Sequence, residues 1–172
     1  MNKKEILIGV ISDTHIPSRG PIIPESIIQD FLNKNIDYIF HLGDYTTLDA
    51  HKSLIKLFGK DKVISVSGNM DEQKITQILP KTREISIIGY KIFLTHGSGG
   101  PNGIIERLNR EFNLINYDII IFGHTHRPLN EKRDGKLYLN PGTPTDKRFT
   151  NVNSYSYLKL SQNNIDVDII YL

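Results

Sequence analysis

Apolar positions along the chain follow two periods, one suited to buried strands and one to amphipathic helices. Residues Ile6 to Ile11 are a short run rich in Ile and Val that stops at Ser12-Asp13, the pattern of a buried strand. A loop carrying Pro17, Pro21 and Pro24 follows. From Glu25 to Lys34 the pairs Ile27/Phe31 and Ile28/Leu32 are spaced i, i+4 and predict a helix with one apolar face. A second strand is expected over Asp37 to Leu42. A helix capped by Thr46 or Thr47 then runs to Phe58 and is closed by Gly59, and a third strand covers Val63 to Val66. This βαβαβ opening argues for a parallel sheet flanked by helices.

The second half changes character. Arg83–Ile88 and Lys91–Thr95 flank Gly89-Tyr90 and read as a hairpin. Asn102 can cap a helix reaching Phe112, and Tyr117 to Phe122 is an apolar strand. Asp134-Gly135 and Asn163-Asn164 are turns between alternating segments. Strands outnumber helices here, so a second, more antiparallel sheet is expected, packed on the first with helices outside.

At 172 residues without repeats or linker-like stretches, one domain over 1–172 is expected, with 38% apolar residues to fill a core. The formal charge of +2 is spread out, which argues against a nucleic-acid partner held on a basic face. Cysteine is absent, so any metal must be held by His and oxygen ligands. Lys3 and Lys4 precede an apolar run too short for a secretion signal, and no run approaches the length of a membrane span. A soluble cytoplasmic protein is the expectation.

The candidate chemistry sits where strands end. Five apolar runs lead into Asp13-Thr14-His15, Asp44, Asn69, His96 and His124-Thr125-His126. In open α/β sheets, ligands bind beyond the carboxyl ends of strands, so these seven side chains would gather at one edge. If extended geometry persists, Asp13 and His15 point to one side, as do His124 and His126, and each pair can clamp a metal. Singly the motifs have bland readings: Gly43-Asp44 and Gly68-Asn69 are common turn chemistry, and His96 can be an ordinary histidine at a strand end. Two histidines at i, i+2 after four apolar residues are harder to motivate structurally. Four of the six histidines fall at strand ends beside two Asp and one Asn, and this joint pattern points to a metal site. His41, inside a strand, and His51, on a helix face with Leu48 and Ile55, read as core or boundary residues.

The ordered set Ser-Asp13-x-His15, Gly-Asp44, Gly-Asn69, His96-Gly and Gly-His124-x-His126 spans about residues 8 to 128. It resembles the calcineurin-like metallophosphoesterase superfamily, and the short length and Gly-Asn-x-Asp form resemble its small bacterial and archaeal phosphodiesterase branch. Asn140-Pro141-Gly142-Thr143 is similar to a supporting loop of that branch. The resemblance implies an α/β fold, a two-sheet β-sandwich flanked by helices in four αββα layers. It further implies a metal-dependent phosphodiesterase with two divalent ions, Mn²⁺ foremost and Ni²⁺, Zn²⁺ or Fe²⁺ as alternatives. Asp44 would bridge the ions, Asp13, His15 and His126 would complete one site, and Asn69, His96 and His124 the other. A hydroxide held between the ions would attack phosphorus, with Asp44, Asn69 and His124 as the residues expected to carry catalysis. The implied partner is a small phosphodiester; no membrane partner is expected, and the spread-out charge argues against nucleic acid.

Met70 stands where stronger matches place the histidine taken to protonate the leaving group. Asp71 follows it and reads equally as the cap of a helix over Glu72–Leu79. Ser98, Gly99 and Arg19 are candidate substrate contacts, and Arg127 can also reach a phosphate. Two rival readings remain: a non-catalytic scaffold on the same fold, like the small retromer subunit, and a phosphomonoesterase. Scaffolds of that kind have lost part of the ligand set, whereas all seven positions are filled here.

Overall fold

The computed structural model describes residues 5–172. Lys3 and Lys4, weighed above as a leader, lie outside the described residues. In chain order the elements are β1 (Glu5–Ile11), α1 (Glu25–Asn33), β2 (Tyr38–His41), α2 (Leu48–Phe58), β3 (Val63–Ser65), α3 (Gln73–Thr76), β4 (Thr82–Ile87), β5 (Tyr90–Thr95), α4 (Ile104–Glu111), β6 (Ile119–Ile121), β7 (Leu129–Arg133), β8 (Lys136–Asn140), β9 (Ser154–Ser161) and β10 (Asn164–Tyr171).

They build two five-stranded sheets, ordered β10-β9-β1-β2-β3 and β4-β5-β6-β8-β7. Ile8, Val10, Phe40 and Leu42 of the first sheet meet Ile92, Leu94, Ile119 and Leu139 of the second in a core between the sheets. The other face of the first sheet is covered by α1 and α2 through Ile27, Phe31 and Leu54. Gly9 leaves room for Phe31, because a Cβ there would stand 2.7 Å from its ring. On the far side, Ile104, Ile105 and Leu108 of α4 pack on Phe93, Ile120 and Tyr138. These are the four expected layers, in which each sheet buries both faces.

Both sheets are mixed, contrary to the expectation of a more antiparallel second sheet. Each has two parallel and two antiparallel pairings: β1–β2 and β2–β3 are parallel in one, β5–β6 and β6–β8 in the other. The last hairpin joins the first sheet, with β9 antiparallel to β1. Its sequence explains that position. Tyr155 and Tyr157 face the helical layer while Leu158 and Leu160 face the core between the sheets, so β9 suits an interior strand buried on both faces. Smaller differences are local. The β4–β5 turn is Ile88-Gly89, both left-handed at φ 48° and 87°, one residue earlier than expected. Helix α4 starts after left-handed Gly103, with no capping bond from Asn102. The helix expected over 72–79 is only α3.

Candidate metal centre

The parallel strands of both sheets deliver their carboxyl ends to one edge, and the seven candidate donors meet there. The backbone route differs from the one expected. Asp13, His15, His124 and His126 have φ of 55°, 48°, 66° and 57°, so extended geometry stops at the strand ends and left-handed turns bring the side chains together. Tight backbone approaches make this possible. Gly68 lies against Asp44, where a Cβ would stand 2.5 Å from its backbone nitrogen, and Gly123 lies against Ser12 and Asp13. The glycines preceding Asn69 and His124 therefore have a packing reason beyond turn chemistry.

Two overlapping donor groups have Asp13 in common, and Asp44 lies beside both. Ligand atoms of Asp13, His15 and His126 lie within 4.8 Å of one another, as do those of Asp13, Asp44 and His96. His15 Nε2 is 3.2 Å from His126 Nε2, and His126 Nε2 is 3.2 Å from Asp13 Oδ1. On the other side, Asn69 Oδ1 is 3.0 Å from His96 Nε2 and 2.9 Å from His124 Nδ1. Asp44 Oδ2 stands between them, 3.7 Å from His15 Nε2 and 3.4 Å from His96 Nε2.

The other atoms of these side chains are tied back to the fold. Asp13 Oδ2 accepts from the Ser12 hydroxyl (2.5 Å) and from the His124 amide (3.0 Å), while Asp44 Oδ1 accepts from the Met70 amide (2.7 Å). His96 Nδ1 donates to the Leu42 carbonyl at 2.6 Å, which turns Nε2 toward the donors. Asp13 Oδ1 is left buried with no hydrogen-bond partner, facing imidazole nitrogens. A fully buried carboxylate oxygen without a donor costs free energy unless a cation meets it. The set of carboxylate, imidazole and amide oxygen, without thiolate, fits hard or borderline divalent metals.

Electrostatics follow from this crowding. Burial pulls His96 down, but its bond to Asp44 and the charges of Asp13 and Asp44 outweigh burial and raise its pKa to about 9. Burial lowers His15, and burial with neighbouring His96 lowers His124. For Asp44 burial is overcome by His96 and the Met70 amide, so it stays ionised below the usual carboxylate range.

Further residues support the donors, and the first of them carried no sequence signal. Buried Asp146 places Oδ2 3.5 Å from His126 Nδ1 and accepts from Arg19 Nε (3.2 Å) and Arg148 Nη2 (2.9 Å). Asp71 caps no helix. Its two oxygens accept from the amides of Gly68, Asp44 and Thr46, clasping the two ligand loops together. Burial raises its pKa. In the 140–143 loop, Asn140 Nδ2 donates to the Gly123 carbonyl and the Thr143 hydroxyl to that of Asp13, at 2.7 and 2.8 Å. His41 is fully buried and stacks on Tyr45. Its Nδ1 accepts from the Gly43 amide, so Nε2 donates to Thr14, and burial holds it neutral.

A cavity of about 580 Å³ opens over the donors, and Gly99, Met70, Arg127, Arg148 and Phe149 line it. Ser98 and Arg19, expected as substrate contacts, are placed elsewhere. The Ser98 hydroxyl donates to Glu111 and the Arg19 guanidinium to Asp146. Arg107 holds the Gly99 loop through the carbonyls of Ser98, Gly100 and Asn102.

A two-sheet αββα sandwich with paired donor groups at its strand ends defines a metallophosphoesterase class. The calcineurin-like phosphoesterase superfamily domain matches residues 6–163, and the chain belongs to that family. It is 36% identical to a probable metallophosphoesterase of Methanothermobacter thermautotrophicus, across 96% of this chain and 92% of that one. It is 31% identical to a phosphodiesterase of Methanocaldococcus jannaschii, across 78% and 82%. Among solved structures, vacuolar protein sorting 29 of Entamoeba histolytica in complex with zinc superposes with a TM-score of 0.74 and 25% identity, across 96% and 99%. No helix among the described residues is long and apolar enough to cross a membrane.

Proposed function

We propose that the protein is a two-metal phosphodiesterase acting on a small phosphodiester. One observation carries this reading: Asp44 Oδ2 stands 3.7 Å from His15 Nε2 and 3.4 Å from His96 Nε2, beside the unpartnered Asp13 Oδ1. Asp13, His15, His126 and Asp44 would hold one ion, and Asn69, His96, His124 and Asp44 the other. When bound, such a pair supplies Lewis-acid stabilisation of phosphoryl charge and makes water nucleophilic near neutral pH. The protein's own part is positional. Asp44 is held ionised by His96 and the Met70 amide, His96 is aimed by the Leu42 carbonyl, and Asn69 is kept at the cavity mouth by the turn that Asp71 clasps. The 31% identity to an archaeal phosphodiesterase supports the diester.

The likeness to a sorting protein motivates a second reading, a non-catalytic scaffold. The complete donor set favours the enzyme. The test is turnover of bis(p-nitrophenyl) phosphate by Mn²⁺-loaded protein, with His124→Ala as the control. The enzyme reading expects turnover that the variant abolishes while thermal unfolding stays cooperative. No difference between the two proteins would leave the scaffold.

A further inference from the structure

Among the described residues, no titratable proton donor outside the ligand set lines the cavity over the candidate metal centre. Its titratable lining residues are His15, Asp44, His124 and His126, all assigned above as ligands, and two arginines that do not release protons near neutral pH. Met70 occupies the lining with its side chain 55% exposed. Asp71, the nearest acid in sequence, is outside the lining and spends both oxygens on backbone amides. A leaving oxygen here receives no proton from a side chain, so it must be stable as an anion.

The same cavity offers positive charge instead. Arg127 is exposed, lines the cavity and has no ion-pair partner among the described residues. Arg148 gives Nε and Nη2 to Asp146 and retains further N–H groups. Phe149, 59% exposed, stands with its ring edge-on to His126 at 5.3 Å and carries the Arg148 guanidinium 5.2 Å from its centroid; its exposed ring surface is one on which a flat group can stack.

Resting on the phosphodiesterase reading, we infer that the substrate class is a diphosphate diester carrying a nucleobase, R–O–P–O–P–O–R′. Each of its phosphorus atoms has the two-substituent pattern of a diester. Water oxygen bonds to one phosphorus, the bond from that phosphorus to the bridging oxygen breaks, and the bridging oxygen leaves with the second phosphate. The two protons of water end one on each phosphate product or in solvent, and no oxidant or co-reactant is needed. The leaving group is a phosphomonoester with a second pKa of about 6. An alkoxide is far more basic, closer to hydroxide, whose parent water has a pKa of about 15.7. Arg127 and Arg148 neutralise the departing phosphate, the task a general acid performs for an alkoxide.

General acid catalysis is worth roughly 10²- to 10⁴-fold, which sets the expected discrimination. The experiment compares three probes on Mn²⁺-loaded full chain: diadenosine diphosphate, adenylyl-(3′,5′)-adenosine and bis(p-nitrophenyl) phosphate. The diphosphate and the aryl diester should turn over, with the single-phosphate dinucleoside at least about 10²-fold slower in kcat. Arg127→Ala should lower kcat/KM for the diphosphate about tenfold more than for the aryl diester, one hydrogen-bonded charge contact at about 1.4 kcal/mol. Met70→His should raise the rate on the single-phosphate dinucleoside selectively. If the aryl diester is cleaved but the diphosphate is no faster than the single-phosphate dinucleoside, the inference is overturned and the phosphodiesterase reading stands. If the aryl diester is not cleaved either, the reading beneath it falls and takes the inference with it.

Discussion

Asp146→Asn probes how the fold aims a metal ligand. The wild-type carboxylate is fully buried, and its Oδ2 is 3.5 Å from His126 Nδ1, a nitrogen with no other hydrogen-bond partner. Its two oxygens also receive the amide, Nε and Nη2 of Arg148 and the Nε of Arg19. Asparagine keeps one acceptor but turns an NH₂ toward these donors and removes the charge. Loss of such an outer carboxylate typically costs 10- to 100-fold in metal affinity, roughly 1.4–2.7 kcal/mol. The loss should fall on the site built from Asp13, His15 and His126 alone, because Asn69, His96 and His124 make no contact with Asp146. Metal-free stability should drop by about 1–3 kcal/mol, since each charged hydrogen bond contributes up to that order but both arginines are partly exposed. Stepwise calorimetric titration with Mn²⁺, alongside melting of metal-free protein, reads both quantities. Wild-type affinity for both ions in a variant that merely melts earlier would refute the orienting role.

Asp44→Asn should weaken both ions together by at least tenfold each in the same titration, and loss of one alone would mean that the bridge is misassigned. The carboxylate of Asp30 accepts from the Tyr155 and Tyr157 hydroxyls at 2.5 and 2.6 Å, joining α1 to β9. Burial would raise its pKa, but these bonds and Lys34 lower it, so its stabilisation is complete above the unfolded value near pH 4 and is lost as pH falls toward the folded one. Urea midpoints of wild type and Asp30→Asn should therefore differ at pH 6 and draw together as pH falls below about 4, and a constant gap would contradict the linkage. Gly9→Ala should cost about 1–3 kcal/mol by overpacking against Phe31, with metal stoichiometry unchanged, as denaturant unfolding and elemental analysis would show.

The layers and the donor set were legible because each depends on a pattern one segment long. Apolar runs such as Ile8–Ile11 and Ile119–Phe122 are buried on both faces, and the polar residue that ends each run stands at the sheet edge. Partners distant in sequence were not legible. Asp146 reaches His126 through an irregular loop, with no period to mark it. Asp71 has a helix-cap pattern, but clasping three amides of two ligand loops takes its place. The left-handed φ of Asp13 and Asp44 accompanies close approaches by Gly123 and Gly68 that only the packed sheets create. The final hairpin was misplaced because local alternation does not say which sheet a strand joins. The two-sided burial of Tyr155, Tyr157, Leu158 and Leu160 settles that.

The central claim is that one carboxylate, Asp44, joins two metal sites. Anomalous diffraction at the manganese edge, from crystals grown with saturating Mn²⁺, tests it without reference to activity. The account predicts two peaks per chain about 3.5–4 Å apart, with Asp44 Oδ2 between them, one peak beside His15 and His126 and the other beside His96 and His124. A single peak at saturation, or two peaks that do not share Asp44, would contradict it.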